Sequence, residues 1–333
     1  MKTKNILFGL SLAAAGLLTV SCEEDLLRDT AETYVTLSGE NTYRVGSEVR
    51  FQLHGNPDYV YFYSGEVGSQ YQYRDRTTIA MEDLETCKLV VEYTALYGDP
   101  DALDVYASKT FEGLKANDAQ ADLATMQALQ AAMDPETKEI PGWDKLPYNE
   151  VAGDTPTVQE YDITEYADSF CLAFHWNTAA FDKTQRTYRL NLSVKTKFKG
   201  YDEVTTPASA LAFTSVSMNT DYVTDPYTHD VGNGSVRFLA AGYDIIMQGV
   251  GANVLPYCLD SWVVSTPRPL NNIAPDTGLS VKAFSDDTVE YGYTYEKPGT
   301  YQASFMLTNG NYQGTSRKVQ HMTINIIEPI ELE

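Results

Sequence analysis

The residue with the most definite chemistry in this sequence is Cys22. Before it stand Lys2 and Lys4, an apolar run from Ile6 to Val20, and Ser21; after it come Glu23, Glu24 and Asp25. A basic leader, an apolar segment and a small residue at the cleavage point are what a signal peptidase reads, and a cysteine at that point accepts acyl chains. The pattern predicts a lipoprotein signal peptide over residues 1–21 and lipidation at Cys22, with Thr19 in place of the usual leucine three residues earlier. Fifteen helical residues reach roughly 22 Å, short of the ~30 Å hydrocarbon layer, so a stable spanning helix is disfavoured. Residues 22–33 then read as a lipidated tether, since acyl chains worth about 0.8 kcal/mol per methylene hold a folded body on a bilayer. The alternative is an ordinary secretory peptide in which Cys22 takes no part.

A second kind of chemistry needs flat aromatic faces beside carboxylates and amides. Such faces stack on the apolar side of a pyranose ring while the polar groups meet its hydroxyls. Tyrosine is abundant, 24 of 333 residues. Tyr59, Tyr61 and Tyr63 alternate with Val60 and Phe62, so on a strand the three tyrosines share the face opposite the apolar pair. That row is either an exposed platform or a surface packed under another element. Trp143 lies in a proline-bounded stretch and is the tryptophan expected to be exposed. Trp176 follows Phe170, Leu172 and Phe174 on one face and reads as core; Trp262 fits either core or binding surface.

Catalytic and metal patterns are weak by comparison. The four histidines, His54, His175, His229 and His321, are scattered, and no glycine-flanked serine precedes a suitable histidine. With 46 acids in the chain, a carboxylate pair for glycoside hydrolysis can be drawn almost anywhere and carries no information. Asp99, Asp101 and Asp104 lack the glycine and terminal glutamate of a calcium loop and read as a solvated turn. The expectation is a non-enzyme with no catalytic residues, no cofactor and no metal. A net charge of −22 repels phosphate backbones, which argues against nucleic acid as a partner. Beyond Cys22 the cysteines are Cys87, Cys171 and Cys258, an odd set without metal spacing. Cys87 aligns with Leu89, Val91 and Tyr93 as a buried thiol, with a Cys87–Cys171 disulfide as the other reading.

The elements that must position these residues are strands. Period-two alternation, broken at Gly, Pro, Asn and Asp, runs through nearly every segment. Strands are predicted at 49–53, 59–63, 87–93, 103–107, 169–176, 187–194, 211–218, 236–239, 262–264, 289–295, 301–307 and 322–327. The fold class is all-β: tandem β-sandwiches, immunoglobulin-like and jelly-roll-like, with one short helical insertion at about 115–135. That helix is marked by Leu123, Met126, Leu129 and Met133, with Asn117 and Gln120 as a capping box and Pro135 as its stop. Three folded blocks are expected: strands of an immunoglobulin-like domain over 34–80, a jelly-roll-like sandwich over 81–200, and a second immunoglobulin-like sandwich over 201–333. Val49, Arg50, Phe51 and Gly55 recur as Val236, Arg237, Phe238 and Gly242, suggesting that two blocks open alike. Pro298 and Gly299 are expected to form a tight turn with a positive φ at the glycine.

Two stretches resemble known families. Tyr291, Tyr293, Tyr295, Pro298, Gly299, Thr300 and Tyr301 are similar to the penultimate hairpin of polycystic-kidney-disease-type immunoglobulin-like domains. Phe51, Gly55, Asp58, the run Phe62–Tyr63–Ser64–Gly65–Glu66, Gly68, Tyr71, Arg74, Arg76 and Thr77 resemble the opening of a Bacteroidetes outer-membrane lipoprotein family, SusE-like, found with polysaccharide-utilisation systems. The likeness continues at Leu103, Val105, Ser108, Phe111, Gly113, Asp162–Thr164, Ala173 and Phe174. The acids after Cys22 resemble the tract that sends such lipoproteins to the outer face of the outer membrane. The resemblance implies a lipid-anchored cell-surface protein that binds polysaccharide or oligosaccharide beside a SusC/SusD-like transporter, with no catalytic residues to carry over. A structural or adhesive envelope protein is the other class consistent with these modules.

Overall fold

The computed structural model describes residues 30, 32–151, 153, 155–227, 235–312 and 314–328. The alternating pattern is realised as strands throughout, and all twelve predicted strands are present. They fold into two units, one made of the two ends of the chain, up to Tyr71 and from Thr277, the other of Gln72–Asp276. This differs from the expected blocks at 34–80, 81–200 and 201–333. The strands of 34–63 do not close a domain of their own, and the segment 201–276 completes the middle sandwich instead of opening a third.

In the terminal unit, a three-stranded sheet has the order Tyr34–Leu37, Glu48–His54, Glu290–Thr294, all antiparallel. A five-stranded sheet has the order Leu279–Lys282, Tyr59–Tyr63, Gly299–Asn311, Gly314–Ile327, Thr42–Arg44, the last pairing parallel. Phe51 from one sheet meets Phe62 and Phe305 from the other at ring separations of 5.4 and 4.9 Å, and all three are fully buried. The tyrosines at 291, 293 and 295 face this core, whereas Val289, which strand alternation puts on the same face, is exposed. Gly299 opens the long strand without a positive φ, so the expected turn is not formed there.

The run Tyr63–Glu66 is explained by this unit's construction. Gly65 has φ +87°, and a Cβ there would stand 2.8 Å from the backbone of Gln302, so glycine is required twice over. The carbonyl of Ser64 accepts the Tyr295 hydroxyl at 2.8 Å, and Glu66 accepts that of Tyr293. The motif is a joint between the strand Tyr59–Tyr63 and the tyrosine strand.

The middle unit is a larger sandwich. One sheet has the order Ser235–Ala240, Tyr243–Gln248, Tyr188–Phe198, Leu84–Ala95, Thr157–Asp162, with Val204–Pro207 also pairing onto Tyr188–Phe198; the other has Phe213–Ser217, Asp260–Ser265, Cys171–Asn177, Leu103–Ser108, Asp144–Leu146. Cys87, Leu89, Val91 and Tyr93 line the space between the sheets with Phe174 and Trp176 from the facing one. Cys87 and Cys171 are free, buried thiols in different cores, the first between the sheets and the second on the outer face, so no disulfide joins them. The second sheet has an outer core as well, covered by the helix Ala119–Ala131 through Leu123 and Met126. Asp118, not Asn117, caps the helix, its carboxylate accepting the Ala121 amide at 3.1 Å. The suggested repeat does not survive: Val49 and Phe51 are core, but Phe238 is 36% exposed on an outermost strand.

A clasp closes the middle unit where the chain enters and leaves it. Arg76 stacks over Tyr73 with 3.9 Å to the ring centroid, donates to the Tyr201 hydroxyl at 2.5 Å and pairs with the buried carboxylate of Asp276 at 3.0 Å.

Candidate functional site

Cys22 lies outside the described residues. The tyrosine row is divided. Tyr59 and Tyr61 are 40% and 36% exposed on the outward face of the five-stranded sheet, opposite Thr308 and Met306 of the next strand. Tyr63 is buried: its ring packs edge-on to Tyr71 at 5.3 Å and against Gly278, where a Cβ would fall 2.7 Å from the ring. The expected three-residue platform is therefore a pair, because the short helical turn at Tyr71–Tyr73 and Gly278 belong to segments that fold back over its end.

Both candidate tryptophans are core residues, which corrects the expected exposure of Trp143 and decides the open reading of Trp262. Trp143 is 8% exposed. The stretch around it is ordered: Ile140 and Trp143 form a β-bridge, the Trp143 ring lies 5.0 Å from Phe111, and Asp144–Leu146 adds an edge strand to Leu103–Ser108. Trp262 is fully buried, stacked on His175 at 4.2 Å with a 5° interplanar angle, and donates its indole N–H to Gln130 Oε1 at 3.2 Å. His175 Nε2 meets Asp260 at 2.8 Å, and Gln130 Nε2 donates to the same carboxylate at 2.9 Å. His175 lies 2% exposed under a tryptophan, and through Asp260 and Gln130 the cluster fastens the end of the helix to the sheet.

Among the described residues, a concavity with room for a ligand lies beside Trp143. After the helix, Asp134 organises a turn, its carboxylate accepting the amides of Glu136 and Thr137, each at 2.8 Å, and the chain returns with the Glu139 carbonyl accepting the Asp134 amide at 2.9 Å. Those amide bonds hold the Asp134 carboxyl below its ordinary value of 3.8. Ile140 and Trp143 pin the returning segment onto the outer core. Between it and the edge strand run two hollows, of about 520 and 580 Å³, that share Glu139 and Lys145 and so form one open trough. These volumes fall within the range of small-molecule sites.

The trough is lined with oxygen. Asp101, Asp104 and Glu139 stand along one hollow, and Asp134 and Asp144 along the other. Lys145 is the cation of the lining and is paired with Asp104 at 2.8 Å. Asp144 accepts the Tyr166 hydroxyl at 2.7 Å. Tyr148 lines one hollow, its ring 4.6 Å from Tyr93, and its hydroxyl is shielded from solvent without a hydrogen-bond partner. Burial, with Glu150 next in effect, raises the Tyr148 phenol well above its ordinary value, so it is a neutral donor. Beneath it Glu150 joins Arg186 at 2.8 Å and accepts the Tyr188 hydroxyl at 2.5 Å.

Residues 21–132 match a family described as a domain of unknown function, DUF5017. The match takes in the opening strands of both units and ends with the helix, covering less than half of the chain. No curated protein and no solved structure matches this chain.

Sequence reading missed the trough because its acids are distant in sequence and unremarkable singly. The pairing of Asp144–Leu146 with Leu103–Ser108 brings them together, and a three-residue strand between prolines carries no periodic signal. Among the described residues no group of His, Cys, Asp and Glu is placed to hold a metal ion. Asp99 pairs with Lys183 at 3.3 Å, and Asp104 with Lys145, which accounts for two of the three clustered aspartates. No described helix is long and apolar enough to cross a membrane.

Proposed function

We propose that this chain is a cell-surface lipoprotein, anchored in the outer membrane through Cys22, that binds polysaccharide or oligosaccharide without catalysis and assists its capture by a SusC/SusD-like uptake system. The observation that carries the binding reading is the open trough at the sheet edge, two adjoining hollows lined by hydrogen-bonding oxygens. An open trough suits a chain that passes through it, where a closed cavity would suit a small molecule. The exposed pair Tyr59 and Tyr61 offers flat faces for stacking and supports the same reading. Anchoring and location rest on the leader and the residues around Cys22.

Affinity electrophoresis of the chain against plant, host and microbial glycans tests this reading. Retardation by at least one glycan is the expected result, and migration unchanged across the panel overturns it. The flat, partly apolar face bearing Tyr59, Tyr61 and Met306 also favours a second reading, a contact surface for another envelope protein. Stable co-purification with a transporter or fimbrial subunit, lost in Tyr61→Ala and unaccompanied by sugar affinity, would favour it.

A further inference from the structure

The strand orders of the middle unit's two sheets match position by position. At one end of the unit the chain crosses between matched strands five times, after Phe213–Ser217, Tyr243–Gln248, Cys171–Asn177, Leu84–Ala95 and Asp144–Leu146, so the crossovers stand side by side in that order. The pairings of Ser217 with Ser261, Asn177 with Asp260, Trp176 with Leu103, and Tyr188 with Ala95 and Met247 bring them to the same end. Each crossover holds one large apolar side chain that is 45% to 60% exposed: Tyr222, Val254, Phe181, Tyr97 and Val151 in turn. Such residues are ordinary when scattered singly over a surface; one from every loop of a row forms a patch that marks an interaction site. The chain enters and leaves the unit at the opposite end, so the row serves no connection of the fold itself.

The loops are braced against one another. Asn219 accepts the Asp260 amide at 3.0 Å and donates to the Cys258 carbonyl at 2.8 Å. The Asn253 amide reaches the Phe181 carbonyl at 2.9 Å, the Asp99 amide that of Thr184 at 2.8 Å, and the Asp101 amide the Glu150 carboxylate at 3.3 Å. Tyr222 lies face to face on buried Tyr257, with ring centroids 3.8 Å apart and planes 17° from parallel, so the part left to solvent is its other face and rim. A protein contact surface withdraws charge from its apolar centre. Here exposed Asp221, Asn253 and Asp182 stand next in sequence to Tyr222, Val254 and Phe181. Apolar faces interleaved with hydrogen-bonding groups complement a sugar chain, whose rings carry apolar faces and hydroxyl rims. The row is also continuous with the trough, whose lining includes Asp101 from the fourth crossover and Pro147 from the fifth. Resting on the glycan-binding reading above, we infer that the row is a binding strip on which an extended glycan continues beyond the trough, with Tyr222 as its stacking platform and Phe181 and Tyr97 as further contacts. Five crossovers at strand spacing span roughly 20 Å, which takes several sugar units and exceeds a disaccharide.

The test uses the whole chain. Affinity electrophoresis against xylan, mannan and mixed-linkage glucan, together with the wider panel above, compares the unmodified chain with Tyr222→Ala, Phe181→Ala and Tyr222→Phe. Tyr222→Ala should weaken binding about tenfold, Phe181→Ala about fivefold, and Tyr222→Phe, which keeps the ring, less than about twofold. Titration calorimetry should find the hexasaccharide of a retarding polymer about tenfold tighter than its disaccharide. Phe181→Ala should melt with the unmodified chain, which keeps the result readable should Tyr222→Ala loosen Tyr257. Binding unchanged in both alanine variants overturns the inference and leaves glycan binding standing at the trough or at Tyr59 and Tyr61. Equal affinity for the two lengths overturns it in the same way. A protein partner lost in Tyr222→Ala, without sugar affinity, would make the row a protein contact and overturn it too. No retardation by any glycan removes the function on which the inference rests, and the inference with it.

Discussion

Cys171 touches the carbonyl of Ser265 at 3.2 Å and is fully buried, and burial pushes its thiol up to about 12. Thiolate is the reactive form, so a buried thiol with a raised pKa is inert. Cys87 is raised for the same reason; Cys258 is half-buried. Timed alkylation read by mass spectrometry at pH 8 should label Cys258 first, with Cys87 and Cys171 labelled only on unfolding. Equal rates for all three would contradict this packing. Asp134 and Asp162 make the opposite case, both carboxyls lying below 3.8 because Thr137 with Glu136, and Thr164, donate to them. A depressed folded value means stabilisation that is present above the unfolded value and lost as pH falls through the folded one. Titration by NMR should place both midpoints below 3.8, and the amide of Thr137 should lose exchange protection only under more acid conditions.

The helix Ala119–Ala131 owes its place to two anchors of different strength. At its start Asp118 satisfies one terminal amide on an exposed surface, and Asp118→Ala should cost about 1 kcal/mol. Near its end Gln130 reaches Trp262 and Asp260, and Trp262 fills the space between the helix and the sheet. Trp262→Ala should cost about 3–5 kcal/mol, through a cavity and the lost stack on His175. Chemical denaturation measures both, and equal costs would show that the outer core is not what holds the helix. The helix and the longer strands were legible because Leu123 and Met126, or Cys87 through Tyr93, repeat at the period of their element and face one core. Trp143 and Tyr63 were not, because a position's local alternation says which face it takes and nothing about what later folds over that face. Short edge strands such as Asp144–Leu146 and Thr42–Arg44 depend on a partner distant in sequence, and neither has enough residues to show a pattern.

At the scale of the molecule, the division of the chain makes a prediction of its own. The middle unit contains both of its sheets and closes its own entry and exit through Arg76, Tyr73, Tyr201 and Asp276. Residues 72–276 expressed alone should unfold cooperatively, with a melting temperature unchanged by removing the rest of the chain. A non-cooperative fragment would show that the unit depends on the terminal strands. Arg76→Ala should destabilise that fragment by about 3 kcal/mol, since it removes the ionic partner in the buried pair with Asp276. The tryptophans expected at a binding surface serve instead as cores of this unit, and its trough arises at an edge where a short strand meets a returning loop.

The terminal sandwich has the reverse property. Phe51 lies opposite Tyr291, and Val60 opposite Leu307, so more than two hundred residues separate partners that must meet. During synthesis, the first four strands leave the ribosome long before the hairpin that will cover them is translated. They wait with open edges, a condition that favours association with other chains. A nonsense codon or proteolytic nick past residue 277 would therefore spare the middle of the protein while exposing its beginning, and the damage would register as aggregation through residues 34–63.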